Sequence, residues 1–230
     1  MRSCPFPAHI LVLAEDALLA EVRKAVKGGV GIKRVRALVA AARESVGVRY
    51  GLGAARLRLG MLLDELDLYE RQLADVEVAM NEMLEATGYA GRLLQIKGIG
   101  VVSAATFLGE AGDPLRFESA RQIMRYAGFN LTEDSSGKNK SGTSISKRGR
   151  AQLRAALYQM ACTMVKHNAE IRGLFSYFLT REKNPLKKKQ AYVTVAGKII
   201  TMIYAILKKD EEYNAEKVIG AARREMMKAA

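Results

Sequence analysis

Apolar and polar positions along this chain follow helical spacing in segment after segment. From Leu52 to Leu84 there is no proline, and no glycine after Gly60. The apolar positions Leu59, Leu62, Leu66, Tyr69, Leu73, Val76, Met80 and Met83 are separated by alternating steps of three and four. That is the seam of a coiled coil, and it predicts one long helix whose apolar stripe needs a partner. A second copy of the chain is the favoured partner, since no other segment carries a matching heptad. Acidic residues such as Asp64, Asp67, Glu70 and Asp75 fall between seam positions and read as a solvated face.

Shorter helices are predicted before this one, over Glu15–Val26 and Ile32–Ser45, with the paired Gly28 and Gly29 between them. After Gly88 the pattern changes. RLLQIKGIGVVSAATFLGEAG, from Arg92 to Gly112, reads as apolar helix, tight turn at Lys97-Gly98-Ile99-Gly100, and apolar helix. This is the pattern of a helix-hairpin-helix, in which Gly98 and Gly100 let backbone amides approach a nucleic-acid phosphate; a plain helical corner gives the same pattern. A helix over Ser119–Tyr126 follows Asp113-Pro114. The stretch Asn130–Arg150 is polar, glycine-punctuated and irregular, and helices follow over Arg150–Asn168, Ala169–Arg181 and Gln190–Lys208. Asn184-Pro185 separates the last two, and a basic amphipathic helix is predicted from Asn214 to Met227.

The predicted fold class is therefore all-α: a long coiled-coil helix followed by a helical domain with a hairpin and a serine-bearing basic loop. The expected organisation is a helical linker over 1–50, the coiled coil over 51–87, a C-terminal domain over 88–209 and a basic terminal helix over 210–230. The opening is abrupt, as if a domain had preceded it.

Composition changes the picture mainly through charge. With 49% hydrophobic residues among 230, the chain can bury a core, and a formal net charge of +13 asks for a phosphate-rich partner. Cys4 and Cys162 are far apart and the two histidines form no cluster with them, so a structural zinc is not expected; both thiols read as free, Cys162 in a core. The apolar run from Tyr192 to Leu207 is shorter than a membrane span and reads as a buried helix, which leaves a cytoplasmic protein with no membrane partner.

The charge concentrates between Ser135 and Arg154, where Lys138, Lys140, Lys147, Arg148, Arg150 and Arg154 occur without one acidic residue. Like charges crowded this way destabilise the loop unless a polyanion offsets them, so these six are the candidate DNA-binding residues. On the following helix Arg150, Arg154 and Tyr158 share one face, while Leu153, Leu157, Met160 and Met164 share the face predicted to be buried. The loop also holds Ser135, Ser136, Ser141, Ser144 and Ser146. Serine in a loop is ordinarily a turn residue, but Ser135 and Ser136 precede Gly137 and are flanked by cations that would stabilise charge on a reacting phosphate. No histidine is near to take a proton; a metal, Glu133 or Asp134, or another domain would have to do so.

The run from Leu93 to Ala161 closely resembles the C-terminal domain of one transposase family. It is the family of insertion-sequence recombinases that pair a RuvC-like domain with a serine domain, related to the Piv invertases and including bridge-RNA-guided recombinases. The features that carry the resemblance are IKGIG with AAT and GEAGD after it, the AG before the loop, SSG, and ISKRG followed by LR. The resemblance implies DNA transposition or site-specific recombination through a covalent phosphoserine link. Ser136 takes the nucleophile's position, with Ser135 as the fallback. It also implies that magnesium enters only with a RuvC-like domain, that this chain itself holds no cofactor or metal, and that a guide RNA is a conceivable partner beside DNA. On this reading the chain is either a truncated form, inactive alone, or half of a split enzyme. A non-catalytic DNA-binding protein using the hairpin and basic loop is the alternative.

Overall fold

The computed structural model describes residues 4–26, 28–47, 50–132, 135–136, 139–140, 144–215, 217 and 220. The described chain is all-α apart from four two-residue strands, and it divides into two compact units, Met1–Ala74 and Asp75–Ala230.

In the first unit α1 (Pro7–Val12) and α2 (Glu15–Ala25) both pack on α3 (Ile32–Arg43). The core is small: Leu18, Val30, Val35 and Ala42 are buried. An Arg36–Glu15 ion pair at 3.0 Å ties α3 to the start of α2, and the Arg23 guanidinium donates to the Val30 carbonyl. Helix α1 is absent from the sequence expectation. Its six residues are too few to show a helical period, and only Pro7 at its first position marks it.

Helix α4 runs over Leu52–Ala86, 35 residues, as its freedom from helix breakers predicts. The seam residues Leu62, Leu66, Tyr69, Leu73, Val76 and Met83 are exposed. At its end Leu84 is buried in the second unit, where Met80 and Met83 line an apolar cavity of about 550 Å³ with Tyr89, Leu108 and Asp113.

The second unit is built on α10 (Lys188–Lys209), which has ten buried residues and packs against α7, α8 and α9. By length and composition α10 could cross a membrane, but most of it is buried among its neighbours, as expected for a core helix. Helix α8 (Ala151–His167) buries the predicted face, Leu153, Leu157, Met160 and Met164, against α6 (Val101–Ala111), α9 (Ala169–Thr180) and α10. Cys162 lies on α8 half-buried, at the margin of the core rather than within it. The short α5 (Ala90–Leu94), a 3₁₀ turn (Pro114–Arg116) and α7 (Ala120–Tyr126) complete the helices.

Asn168 is the one buried polar side chain among the described residues. Its Oδ1 accepts from the Ile171 amide and caps α9, while its Nδ2 donates to the Lys97 carbonyl and the Tyr213 hydroxyl. One amide thereby joins the α8–α9 corner, the turn before α6 and the segment after α10. Full satisfaction is what permits its burial.

The stretch expected to be irregular contains two antiparallel ribbons. Strand β1 (Leu131–Thr132) pairs with β4 (Ser144–Ile145), and β2 (Ser135–Ser136) pairs with β3 (Asn139–Lys140). Neither pair shows strand alternation in its sequence, so the pattern gave no signal. Most of the terminal helix expected over Asn214–Met227 lies outside the described residues.

Candidate nucleic-acid interface

The geometry starts at the base of the basic loop, where the chain crosses the C-terminal end of α7. The Lys147 amide donates to the Gly128 carbonyl and the Arg150 amide to the Tyr126 carbonyl, so the return limb lies directly on the outgoing one. Two glycines make the approach possible. A Cβ on Gly149 would stand 2.4 Å from the Tyr126 carbonyl oxygen and 2.7 Å from the Gly128 nitrogen, and one on Gly128 would stand 2.8 Å from the Arg154 guanidinium. Gly128 also has φ near +76°, and Lys147 takes the left-handed conformation at φ +53°.

Arg154 closes this crossing. From α8 its Nη1 donates to the Ala127 carbonyl at 3.0 Å and the Lys147 carbonyl at 3.3 Å, one acceptor on each limb. Helical spacing placed Arg154 with the candidate DNA contacts; the structure commits that nitrogen to the loop's own backbone. Arg150, the N-cap residue of α8, is half-exposed and pairs with Glu110 at 3.1 Å while donating to the Tyr126 hydroxyl. Lys147 and Arg148 are exposed and in no ion pair with a described residue. Of the basic candidates whose side chains are described, these two are the cations open to a phosphate.

Ser136 ends β2 opposite Asn139, and Lys140 lies on β3 opposite Ser135. Lys138, Gly137, Ser141, Glu133 and Asp134 lie outside the described residues.

The two hairpin glycines behave differently. Gly98 has φ +99°, and a Cβ there would stand 2.9 Å from the Met164 Cα, so its bare backbone is used up by packing against α8. Gly100, the N-cap of α6, has nothing within 4 Å of an added Cβ and keeps an open approach.

Sequence reasoning missed a second feature of the surface. The Arg116 guanidinium lies 4.7 Å from the Phe117 ring centre and 5.5 Å from that of Tyr126, and Arg150 lies 6.0 Å from the latter. The Arg150 hydrogen bond, reinforced by Arg116, holds the Tyr126 phenol below its ordinary range. A phenol lowered in the fold adds stability only at alkaline pH, above the unfolded value, and that contribution is lost as pH falls through the folded value. At neutral pH it contributes nothing. Followed by tyrosinate absorbance, the protein should show one early-titrating tyrosine that disappears in Tyr126→Phe and returns to the ordinary range in Arg150→Gln. An unchanged titration in both variants would remove the interaction.

Among the described residues no three His, Cys, Asp or Glu side chains converge as metal ligands.

Residues 90–176 match the family model described as Transposase IS116/IS110/IS902 family. The chain is 29% identical over 214 residues to a probable family 20 transposase of Pseudomonas aeruginosa, covering 88% of this chain and 62% of that protein. It is 27% identical over 170 residues to an uncharacterized 43.6 kDa protein of insertion element IS110 in Streptomyces coelicolor, covering 74% of this chain and 41% of that one. Over 127 residues it is 29% identical to the pilin gene-inverting protein of Moraxella bovis, covering 54% of this chain and 38% of that protein. It thus spans less than two thirds of each of these relatives. The segment that matches this transposase family model runs from α5 into α9 and contains the turn at Gly98–Gly100, the clasped loop and its strands.

Proposed function

We propose that the chain acts in DNA transposition or site-specific recombination, holding duplex DNA on the clasped basic loop and attacking a phosphodiester with Ser136. The observation that carries the reading is the loop base, where exposed Lys147 and Arg148 are fixed by the crossing while Arg154 is spent on holding it. Two fixed cations and the open end of α6 suit a phosphate backbone, which positions DNA without reading its sequence. The similarity to a transposase and to a gene-inverting protein supports DNA as the substrate.

In the proposed step the Ser136 Oγ forms a bond to phosphorus and one phosphorus–deoxyribose oxygen bond breaks. The serine proton passes to a base and the departing oxygen takes up a proton. The phosphodiester is exchanged rather than hydrolysed, so its energy is retained for rejoining. Nearby cations stabilise the extra negative charge as the phosphorus becomes five-coordinate.

The test is denaturing-gel detection of protein joined to labelled duplex DNA, with a RuvC-like domain and magnesium supplied. The parent should form the adduct, Ser136→Ala should lose it by at least about a hundredfold, and Ser144→Ala and Ser146→Ala should retain it. An adduct lost instead in Ser135→Ala moves the nucleophile by one residue. Duplex binding with no adduct from any form leaves the non-catalytic DNA-binding function. A guide RNA would enter as a further partner in the same assembly, which is expected in the cytoplasm.

The exposed α4 seam is assigned to a second copy of the chain. Leu66→Asp puts a charge that must be desolvated at the centre of the seam, and should convert a dimer to monomer in sedimentation. A parent chain that sediments as a monomer would end this assignment.

A further inference from the structure

Helices α8 and α10 contain no acidic residue, and neither does the chain from Lys183 to Lys209. Exposed Lys187, Lys188 and Lys189 crowd the N-terminal end of α10, where the helix dipole disfavours cations. No described carboxylate forms an ion pair with them or with exposed Lys166.

The packing of the two helices brings these charges together. Burial pushes the Cys162 thiol on α8 above its ordinary range, and the Lys166 and Lys188 ammonium groups, one from each helix, act on it in the opposite sense. On α8, Tyr158 precedes Cys162 by four residues and Lys166 follows it by four; on α10, Tyr192 follows Lys188 by four. The rings of Tyr158 and Tyr192 meet edge to face at 5.6 Å. The helices therefore run antiparallel here, tyrosine against tyrosine, with Lys188 opposite Cys162 and Lys166 one turn further along α8. Both tyrosines are half-exposed, and Phe175 braces Tyr192 from behind at 4.5 Å.

We propose that this paired face is a second nucleic-acid site, for a single strand, with Lys166 and Lys188 holding a phosphate and Tyr158 and Tyr192 receiving an unpaired base. Four residues of helix span about 6 Å, close to the reach from a phosphate to the base it carries. An aromatic face can receive a base only when that base is out of a duplex, whereas the lysines are indifferent to strandedness. The site lies toward the far end of α8 from the clasped loop, about 24 Å along the helix from Arg150 to Lys166. It does not depend on Ser136 or on any reaction there.

The test uses the full chain with fluorescein-labelled oligothymidylate, oligouridylate of the same length and a duplex, followed by anisotropy over a salt series. Lys166→Gln with Lys188→Gln should weaken single-strand binding about tenfold and reduce the salt slope by roughly 0.7, as loss of one single-strand phosphate contact requires. Tyr158→Leu with Tyr192→Leu should weaken it by a similar factor at unchanged slope. Duplex binding should be unaffected by the tyrosine pair and should fall less than single-strand binding in the lysine pair. In a Cys4→Ser background, oligothymidylate or oligouridylate should slow alkylation of Cys162, and whichever does so better identifies DNA or RNA as the strand. Parental single-strand affinity in the lysine variant, equal losses for duplex and single strand, or unprotected Cys162 would each overturn the proposal. The lysine pair is exposed, so that arm stands even if the tyrosine pair unfolds.

Discussion

Gly98→Val should lower the stability of the C-terminal unit by about 3 kcal/mol, and its melting temperature by roughly 6–12 °C. Two effects add. Valine is strained at φ +99°, and its Cβ would fall 2.9 Å from the Met164 Cα, a backbone atom of α8 that cannot move aside alone. Relief requires α8 to shift from the turn before α6, which also strains the Asn168 bond to the Lys97 carbonyl. Gly100→Ala is the control. With open space around it and φ −104°, it should cost at most about 1 kcal/mol, mainly a less favourable helix cap. Circular dichroism melts of the two variants make the comparison. If Gly98→Val melts like the parent but binds duplex DNA poorly, the glycine serves the nucleic acid and the packing explanation fails.

Gly149→Ala should open the loop base while leaving the helical core folded. The added methyl group meets only backbone, at the Tyr126 oxygen, the Gly128 nitrogen and, at 3.1 Å, the Ala127 carbonyl carbon. The crossing must part, releasing the Lys147 and Arg150 amides and both carbonyls held by Arg154. The loss is about 2 kcal/mol, a few hydrogen bonds re-formed with water plus the strain of the crowded site. Duplex affinity should fall about tenfold, the equivalent of roughly one or two phosphate contacts that are no longer held in place. Hydrogen exchange gives the local readout: Lys147 and Arg150 amides should lose protection while the Leu157 and Met160 amides keep theirs. Retained protection at Lys147 would show that the crossing absorbs the methyl group.

Much of the fold was legible because burial repeats at helical spacing. The buried face of α8, the unbroken length of α4 and the core position of α10 all follow from apolar period and the absence of helix breakers. The ribbons were not legible, since Ser135-Ser136 and Asn139-Lys140 bear none of the alternation that marks a half-buried strand. At the site, counting charges marked a segment but could not sort its members. Arg154 and Arg148 look alike in sequence; they differ because one faces two carbonyls at a chain crossing and the other faces solvent. Gly98 and Gly100 differ for the same kind of reason, a helix backbone lying over one alone. The convergence of Lys166 and Lys188 around Cys162 was equally hidden, because it exists only once α10 packs antiparallel on α8.

The Arg154 clasp also bears on how such a loop can diversify. Its two acceptors, Ala127 and Lys147, sit where the loop leaves and rejoins the helical unit, and just inside them Phe129 and Ile145 pack on the core. Residues inserted beyond the clasp lengthen a circuit whose ends are already joined. Chain statistics then charge little for growth: doubling the enclosed length costs only about 0.6 kcal/mol. A change of one residue at the crossing is expected to cost several times more. Relatives of this domain are therefore free to vary in length and composition beyond Phe129 and Ile145, provided those two, the small residues and the arginine at the neck stay as they are.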